Sequence, residues 1–168
     1  MIRSAKIMLL GEIAVGKTSI AKRLVIDRFD SDYKTTIGVN VLSHEVTVYD
    51  REENRLRLVL WDTDGDFSNA IFNTTYLVGA AGAVVVADAT RPSTIDRMAE
   101  LIESFEERFP GRPVAGVLNK VDLGEPPAAD TFRPSLRARE LTRTSALTGA
   151  GVGDLFTAMA LSIRRRGL

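Results

Sequence analysis

Eight residues near the start of the chain, Gly11-Glu12-Ile13-Ala14-Val15-Gly16-Lys17-Thr18, fit the pattern G-x-x-x-x-G-K-[ST] and constrain what can surround them. They follow Ala5–Leu10, a short apolar run that reads as a buried strand. They also open Lys17–Ile26, where Ile20, Ala21, Leu24 and Val25 share one face of a helix. A strand, a glycine turn and a helix in that order build an anion site. Backbone N–H groups of the turn point inward, and the positive end of the helix backs them. In such a loop Lys17 neutralises the β- and γ-phosphates, and the Thr18 hydroxyl binds Mg²⁺. The loop alone specifies a nucleotide and no more, because P-loop kinases and ATPases share it.

Strand-like and helix-like segments alternate along the rest of the chain, which predicts an α/β fold with a mostly parallel sheet. Val39–Tyr49 alternates apolar and polar residues over much of its length. With Leu56–Leu60, across a turn at Asp50–Asn54, it predicts an antiparallel hairpin at the sheet edge. Ala83–Ala87 and Val114–Leu118 read as further buried strands. Between them Ile95, Met98, Leu101, Ile102 and Phe105 form a helical stripe over Ser93–Phe109, stopped by Pro110-Gly111. Leu155–Ile163 reads as a closing helix, with Arg164–Arg166 in its last turn opposing the helix dipole. Gly124–Pro134, carrying Pro126, Pro127 and Pro134, predicts an irregular loop.

Composition narrows the functional classes. The 168 residues suit a single domain over 1–168. Lys+Arg and Asp+Glu both number 22, so the basic field of a nucleic-acid binder is missing. Apolar runs such as Gly82–Ala87 are far too short to span a bilayer. The opening Met-Ile-Arg-Ser leads straight into a strand-like segment, so neither a signal peptide nor N-myristoylation is expected. With no cysteine, disulfides, thiolate zinc sites and prenyl or palmitoyl anchors are excluded. A monomeric cytoplasmic domain without a lipid anchor is the expectation.

A second motif, Asn119-Lys120-Val121-Asp122, stands at the end of the Val114–Leu118 strand. Ligands of an open α/β sheet collect at the carboxyl ends of its strands, so this tetrapeptide shares a rim with the glycine loop. An Asp carboxylate there accepts from both N1–H and the 2-amino group of guanine, a pair that adenine does not offer. That pairing argues for guanine and against an ATP-using kinase or ATPase.

With both motifs in order, the chain resembles a small GTPase of the Ras superfamily, and within it looks most like the Rab branch. Tyr33-Lys34-Thr35-Thr36-Ile37-Gly38-Val39 is similar to the Rab switch I pattern, and Trp61-Asp62-Thr63-Asp64-Gly65 to the switch II opening W-D-T-A-G. Thr144-Ser145-Ala146 resembles the T-S-A loop that touches guanine, and Leu147 follows it. The Arg-over-Lys, Ala-rich composition points to a prokaryotic relative. The resemblance implies a Ras-like P-loop fold: six strands, one of them an antiparallel edge strand, with helices on both faces. It also implies GTP or GDP as the bound nucleotide, with Mg²⁺. Partners would be effector, exchange or GTPase-activating proteins meeting switch I and switch II.

The resemblance implies residue roles too. Thr36 completes the Mg²⁺ shell and senses the γ-phosphate, Asp62 holds a Mg²⁺-bound water, and the Gly65 amide contacts the γ-phosphate. The Ser19 amide meets the α-phosphate, and Phe29 lies across the base edge. Asn119 ties the base loop to the phosphate loop, Lys120 lies along the base, and Asp122 selects guanine. The Ala146 amide, supported by Ser145 and with Leu147 beside it, takes the guanine oxygen. Catalysis would rest on Lys17, Thr36, Gly65 and the residue at Asp66.

Two positions depart from that pattern. Asp66 stands where the family usually has the Gln that orients the attacking water, and an ionised Asp has no proton to donate there. Ile13 replaces a Gly or small residue facing the γ-phosphate, and its β-branched side chain crowds that approach. Ala14 is a milder change. Together Ile13 and Asp66 weigh against hydrolysis but not against nucleotide binding, which leaves open a GTP-binding interaction module with negligible hydrolysis. Asp62, Asp64 and Asp66 also read D-x-D-x-D, but Phe67 and Asn73 replace the Gly and Glu a calcium loop requires. Phe67, Ile71 and Phe72 make the switch II stretch more apolar than a solvated loop, as packing or a partner patch. His44, the one histidine, falls on the hairpin away from the rim and reads as a surface residue.

Overall fold

A computed structural model describes residues 2–30, 38–50, 52–63, 65 and 75–167. The elements run β1 (Arg3–Gly11), α1 (Lys17–Ile26), β2 (Val39–Asp50), β3 (Glu52–Thr63), β4 (Ala80–Asp88) and α2 (Pro92–Arg108). After them come β5 (Val114–Asn119), α3 (Pro134–Arg137), β6 (Thr142–Arg143) and α4 (Val152–Arg165). The six strands form one sheet in the order β2-β3-β1-β4-β5-β6. Only β2 and β3 pair antiparallel; β3, β1, β4, β5 and β6 run parallel.

Strand alternation divides the core into two layers. Ile7 and Leu9 of β1 and Val84 and Val86 of β4 pack with α1 and α4, against Ile20, Leu155, Phe156 and Met159. Met8 and Leu10, with Ala83, Val85 and Ala87, face the other way onto Ile95, Met98, Ile102 and Phe105 of α2. All nine residues of β4 are buried, as expected of a parallel strand covered on both faces. Because β1, β4 and β5 are parallel, the loops after Gly11, Asp88 and Asn119 leave the sheet at one edge. That edge is the site.

Two details differ from the sequence expectation. The hairpin has almost no turn: Val48 faces Asn54, Tyr49 faces Glu53 and Asp50 faces Glu52, so the polar Asp50–Asn54 stretch extends the ladder. Backbone pairing runs through these polar residues, so polarity alone did not mark where the ladder ends. The Gly124–Pro134 stretch is not wholly irregular, since Ala129–Thr131 forms a short 3₁₀ turn before α3. His44 lies on the edge strand opposite Leu58 and is half-buried rather than fully at the surface.

Candidate nucleotide site

The loop between β1 and α1 is held by side chains that reach its carbonyls. Lys17 Nζ donates to the carbonyls of Gly11 and Glu12, both at 2.8 Å. Arg91 Nη2 donates to the Ile13 carbonyl at 2.8 Å, Lys120 Nζ to Ala14 at 2.7 Å, and Asn119 Nδ2 to Val15 at 3.0 Å. The Gly16 carbonyl accepts the Ile20 N–H at 2.9 Å, which starts α1. A trans peptide carries its N–H opposite its C=O. With the carbonyls of Ile13, Ala14 and Val15 pinned on one side, the N–H groups of Ala14, Val15 and Gly16 face the other. They join the first amides of α1, which precede the intrahelical hydrogen-bond ladder, in an anion nest. Gly16 is required here: its φ is +103°, and a Cβ would lie 2.3 Å from Asn119 Nδ2.

Beside the nest, the Thr18 hydroxyl donates to Asp62 Oδ2 at 2.5 Å. Asp62 is fully buried, and among the described residues its Oδ1 has no hydrogen-bond partner. Burial pushes its carboxyl pKa up, against the opposing pull of the Thr18 hydrogen bond and the Lys17 charge. A buried carboxylate oxygen without a donor, next to a hydroxyl and a phosphate nest, fits a hard divalent cation completed by water and phosphate oxygens. Among the described residues no cluster of three or more acidic or histidine ligands occurs.

On the far side of the nest, Asn119 joins three segments. Besides the bond to Val15, its Oδ1 accepts from the Thr144 hydroxyl at 3.0 Å and the Ala146 N–H at 3.3 Å. Ser145 Oγ donates to Asp122 Oδ1 at 2.6 Å and accepts the Thr148 N–H at 3.1 Å. The Ala146 amide thus has an acceptor inside the protein, though a long one that a bound base can share. Arg23 of α1 fixes this loop from below, donating to the carbonyls of Ala146 and Leu147 at 2.8 and 2.6 Å.

Asp88 ties these groups together. Its side chain is 3% exposed, accepts the Thr90 N–H and hydroxyl, and pairs with Arg91 Nε at 3.2 Å and Lys120 Nζ at 2.9 Å. Burial alone would raise its pKa, but hydrogen bonds from Lys120 and Thr90 outweigh that and hold the carboxyl at about 2.

The structure therefore brings Glu12 to Ser19, Asp62, Gly65, Asn119, Lys120, Asp122, Ser145, Ala146 and Leu147 to one rim. Gly65 lies so close to the nest that a Cβ would come within 2.4 Å of the Ile13 nitrogen. Phe29 stands just past α1 and is 40% exposed. Thr36 with the rest of the switch I motif from Tyr33 to Ile37, and Asp64, Asp66, Phe67, Ile71 and Phe72, lie outside the described residues. Sequence reasoning missed Asp88, Arg91 and Arg23. Asp88 had a signal, a lone carboxylate closing an otherwise apolar strand; the two arginines had none.

A mostly parallel six-stranded sheet, with a phosphate loop after its central β1 and a base-type loop after β5, is the Ras-like P-loop fold. Comparison with known proteins agrees. The family model described as Ras of Complex, Roc, domain of DAPkinase matches residues 6–122. The chain belongs to this family, within the Ras-superfamily GTPases. It is also similar to the GTP-binding nuclear protein GSP1 of Encephalitozoon cuniculi (strain GB-M1), with 32% identity over 119 residues, 70% of this chain. The match spans 55% of that relative's own length. Among the described residues no helix is long and apolar enough to cross a membrane.

Proposed function

We propose that the protein is a GTP/GDP-binding switch that uses Mg²⁺ and hydrolyses GTP slowly. The observation that carries this reading is Asn119, which joins the phosphate loop at Val15 to the base loop at Thr144 and Ala146. A purine held by Asp122 and a phosphate chain held by the nest would be fixed in one geometry. Thr18, Thr36 and Asp62 would hold Mg²⁺, which when bound offsets the charge of the β- and γ-phosphates. Lys17 would meet the same phosphates, and the Ser19 amide the α-phosphate. Phe29, Lys120, Ala146 and Leu147 would enclose the base. Contacts of Thr36 and Gly65 with the γ-phosphate would order two loops for an effector and release them after hydrolysis. We place this monomeric switch in the cytoplasm. The Rab-like placement rests on Tyr33–Val39 and Trp61–Gly65, and the prokaryotic one on composition alone.

The test is base preference. Asp122→Asn should move binding from GTP towards XTP, because an amide donates where xanthine carries a 2-oxo group. A site of paired polar groups discriminates by roughly 10⁴. Unchanged GTP binding in Asp122→Asn, or displacement of bound GTP by equimolar ATP in the wild type, overturns the reading.

A second reading, a binding module with negligible hydrolysis, draws on Ile13. The backbone of Gly65 sits against Ile13, and a β-branched side chain at that place would crowd the approach to the γ-phosphate. Single-turnover GTP hydrolysis, with and without cell extract, separates the two. No turnover in either condition favours the module.

A further inference from the structure

We infer that Arg91 is a positioning residue for the bound nucleotide: it orients the Ile13–Ala14 peptide so that the Ala14 N–H serves the terminal phosphate. This rests on the nucleotide-binding reading above and concerns a residue outside both sequence motifs. Arg91 is the N-cap of α2 in extended backbone, with Pro92 in the first helical position. Its carbonyl accepts the Thr94 N–H and hydroxyl, and that hydroxyl also accepts the Asp88 N–H at 2.9 Å. The backbone of Arg91 is therefore fixed before its side chain is considered.

The side chain then bridges two anchors. Nε pairs with Asp88 Oδ2 at 3.2 Å, and Nη2 donates to the Ile13 carbonyl at 2.8 Å. A planar guanidinium makes both bonds at once in fixed directions. Lys120 pins the next carbonyl, that of Ala14, and shares the same Asp88 oxygen at 2.9 Å. One buried carboxylate thus sets two cations on two consecutive peptides of the loop.

The consequence follows from peptide geometry. Pinning the Ile13 carbonyl turns the Ala14 N–H to the opposite side, into the nest. A cation on the carbonyl also polarises the peptide and strengthens that N–H as a donor. Gly65 abuts the Glu12–Ile13 backbone, and on the reading above its amide meets the γ-phosphate, so this end of the loop is the one assigned to the terminal phosphate. The amides of Lys17 to Ser19, at the start of α1, serve the other end and do not depend on Arg91. Loss of Arg91 should therefore cost a triphosphate more than a diphosphate.

The experiment measures release of a fluorescent non-hydrolysable GTP analogue and of fluorescent GDP from the wild type, Arg91→Ala, Arg91→Lys and Arg97→Ala. Arg97 lies on the same helix and pairs with Glu100 instead, so it controls for loss of charge alone. Arg91→Ala should release the analogue roughly 10-fold faster or more, with a much smaller change for GDP. Arg91→Lys should recover part of the loss, since it keeps the charge without the two-anchor fork. Arg97→Ala should match the wild type. Melting followed by circular dichroism confirms folding; if Arg91→Ala does not fold, Arg91→Lys is read in its place for the same selective acceleration. Equal acceleration for both nucleotides, no acceleration, or the same selectivity in Arg97→Ala overturns the inference. A wild type that binds neither nucleotide overturns the functional reading and this inference with it.

Discussion

Removing the Asn119 side chain breaks three hydrogen bonds at once, to Val15, Thr144 and Ala146. Asn119 is 1% exposed, so water cannot replace its partners' lost contacts. Asn119→Ala should lower stability by about 2–4 kcal/mol, read as a shift in the urea midpoint, and should weaken binding of GTP and GDP alike. A variant of wild-type stability would show that the two loops are held together by other contacts. At this scale the sequence was informative where a residue type is chemically forced. Lys17, Thr18, Asn119 and Asp122 stand in spaced patterns that phosphate and base chemistry require. Arg91 and Arg23 do the same kind of work on loop carbonyls, yet nothing local sets them apart from other surface arginines. Their partners are 78 and 123 residues away in the chain and become neighbours only through the sheet order.

The start of α2 shows how an element supports the site. The Thr94 hydroxyl is fully buried, donates to the Arg91 carbonyl at 2.7 Å and accepts the Asp88 N–H at 2.9 Å. It therefore locks the end of β4 to the first turn of the helix. Thr94→Val keeps the shape but leaves the Asp88 N–H without its acceptor, at a cost of about 1–3 kcal/mol. Its thermal midpoint should fall, by roughly 2–12 °C for a domain of this size range. Thr94→Ser, which keeps the hydroxyl, should recover most of that loss. A Ser variant that melts below the Val variant would mean that methyl packing, not the hydroxyl, dominates at this position. Elements were the most legible scale, and α1 matches its apolar stripe end for end. The hairpin turn and the two-residue β6 were not, because both are set by pairing with a neighbour rather than by their own periodicity.

The whole molecule joins two apolar layers across one sheet, and two cations of its polar rim are held by the buried carboxylate of Asp88. The pairing of Asp88 with Lys120 and Arg91 makes stability depend on acid in a definite direction. Its folded pKa is about 2, against an ordinary value of 3.8. A depressed carboxylate contributes stability that is fully present above the unfolded value and disappears as pH falls through the folded one. The charged groups facing it are Lys120 and Arg91, and the acid window is that of Asp88. Asp88→Asn removes the titrating group and leaves its neighbours in place. The gap in unfolding free energy between wild type and variant should stay constant from pH 7 to about 4 and narrow between about 4 and 2. The narrowing should amount to about 1–2 kcal/mol, allowing for solvent screening at the rim. Urea unfolding of both proteins across that range measures it directly. A gap that does not change below pH 4 would mean that Asp88 carries its charge equally well folded and unfolded, and that its ion pairs do not stabilise the rim.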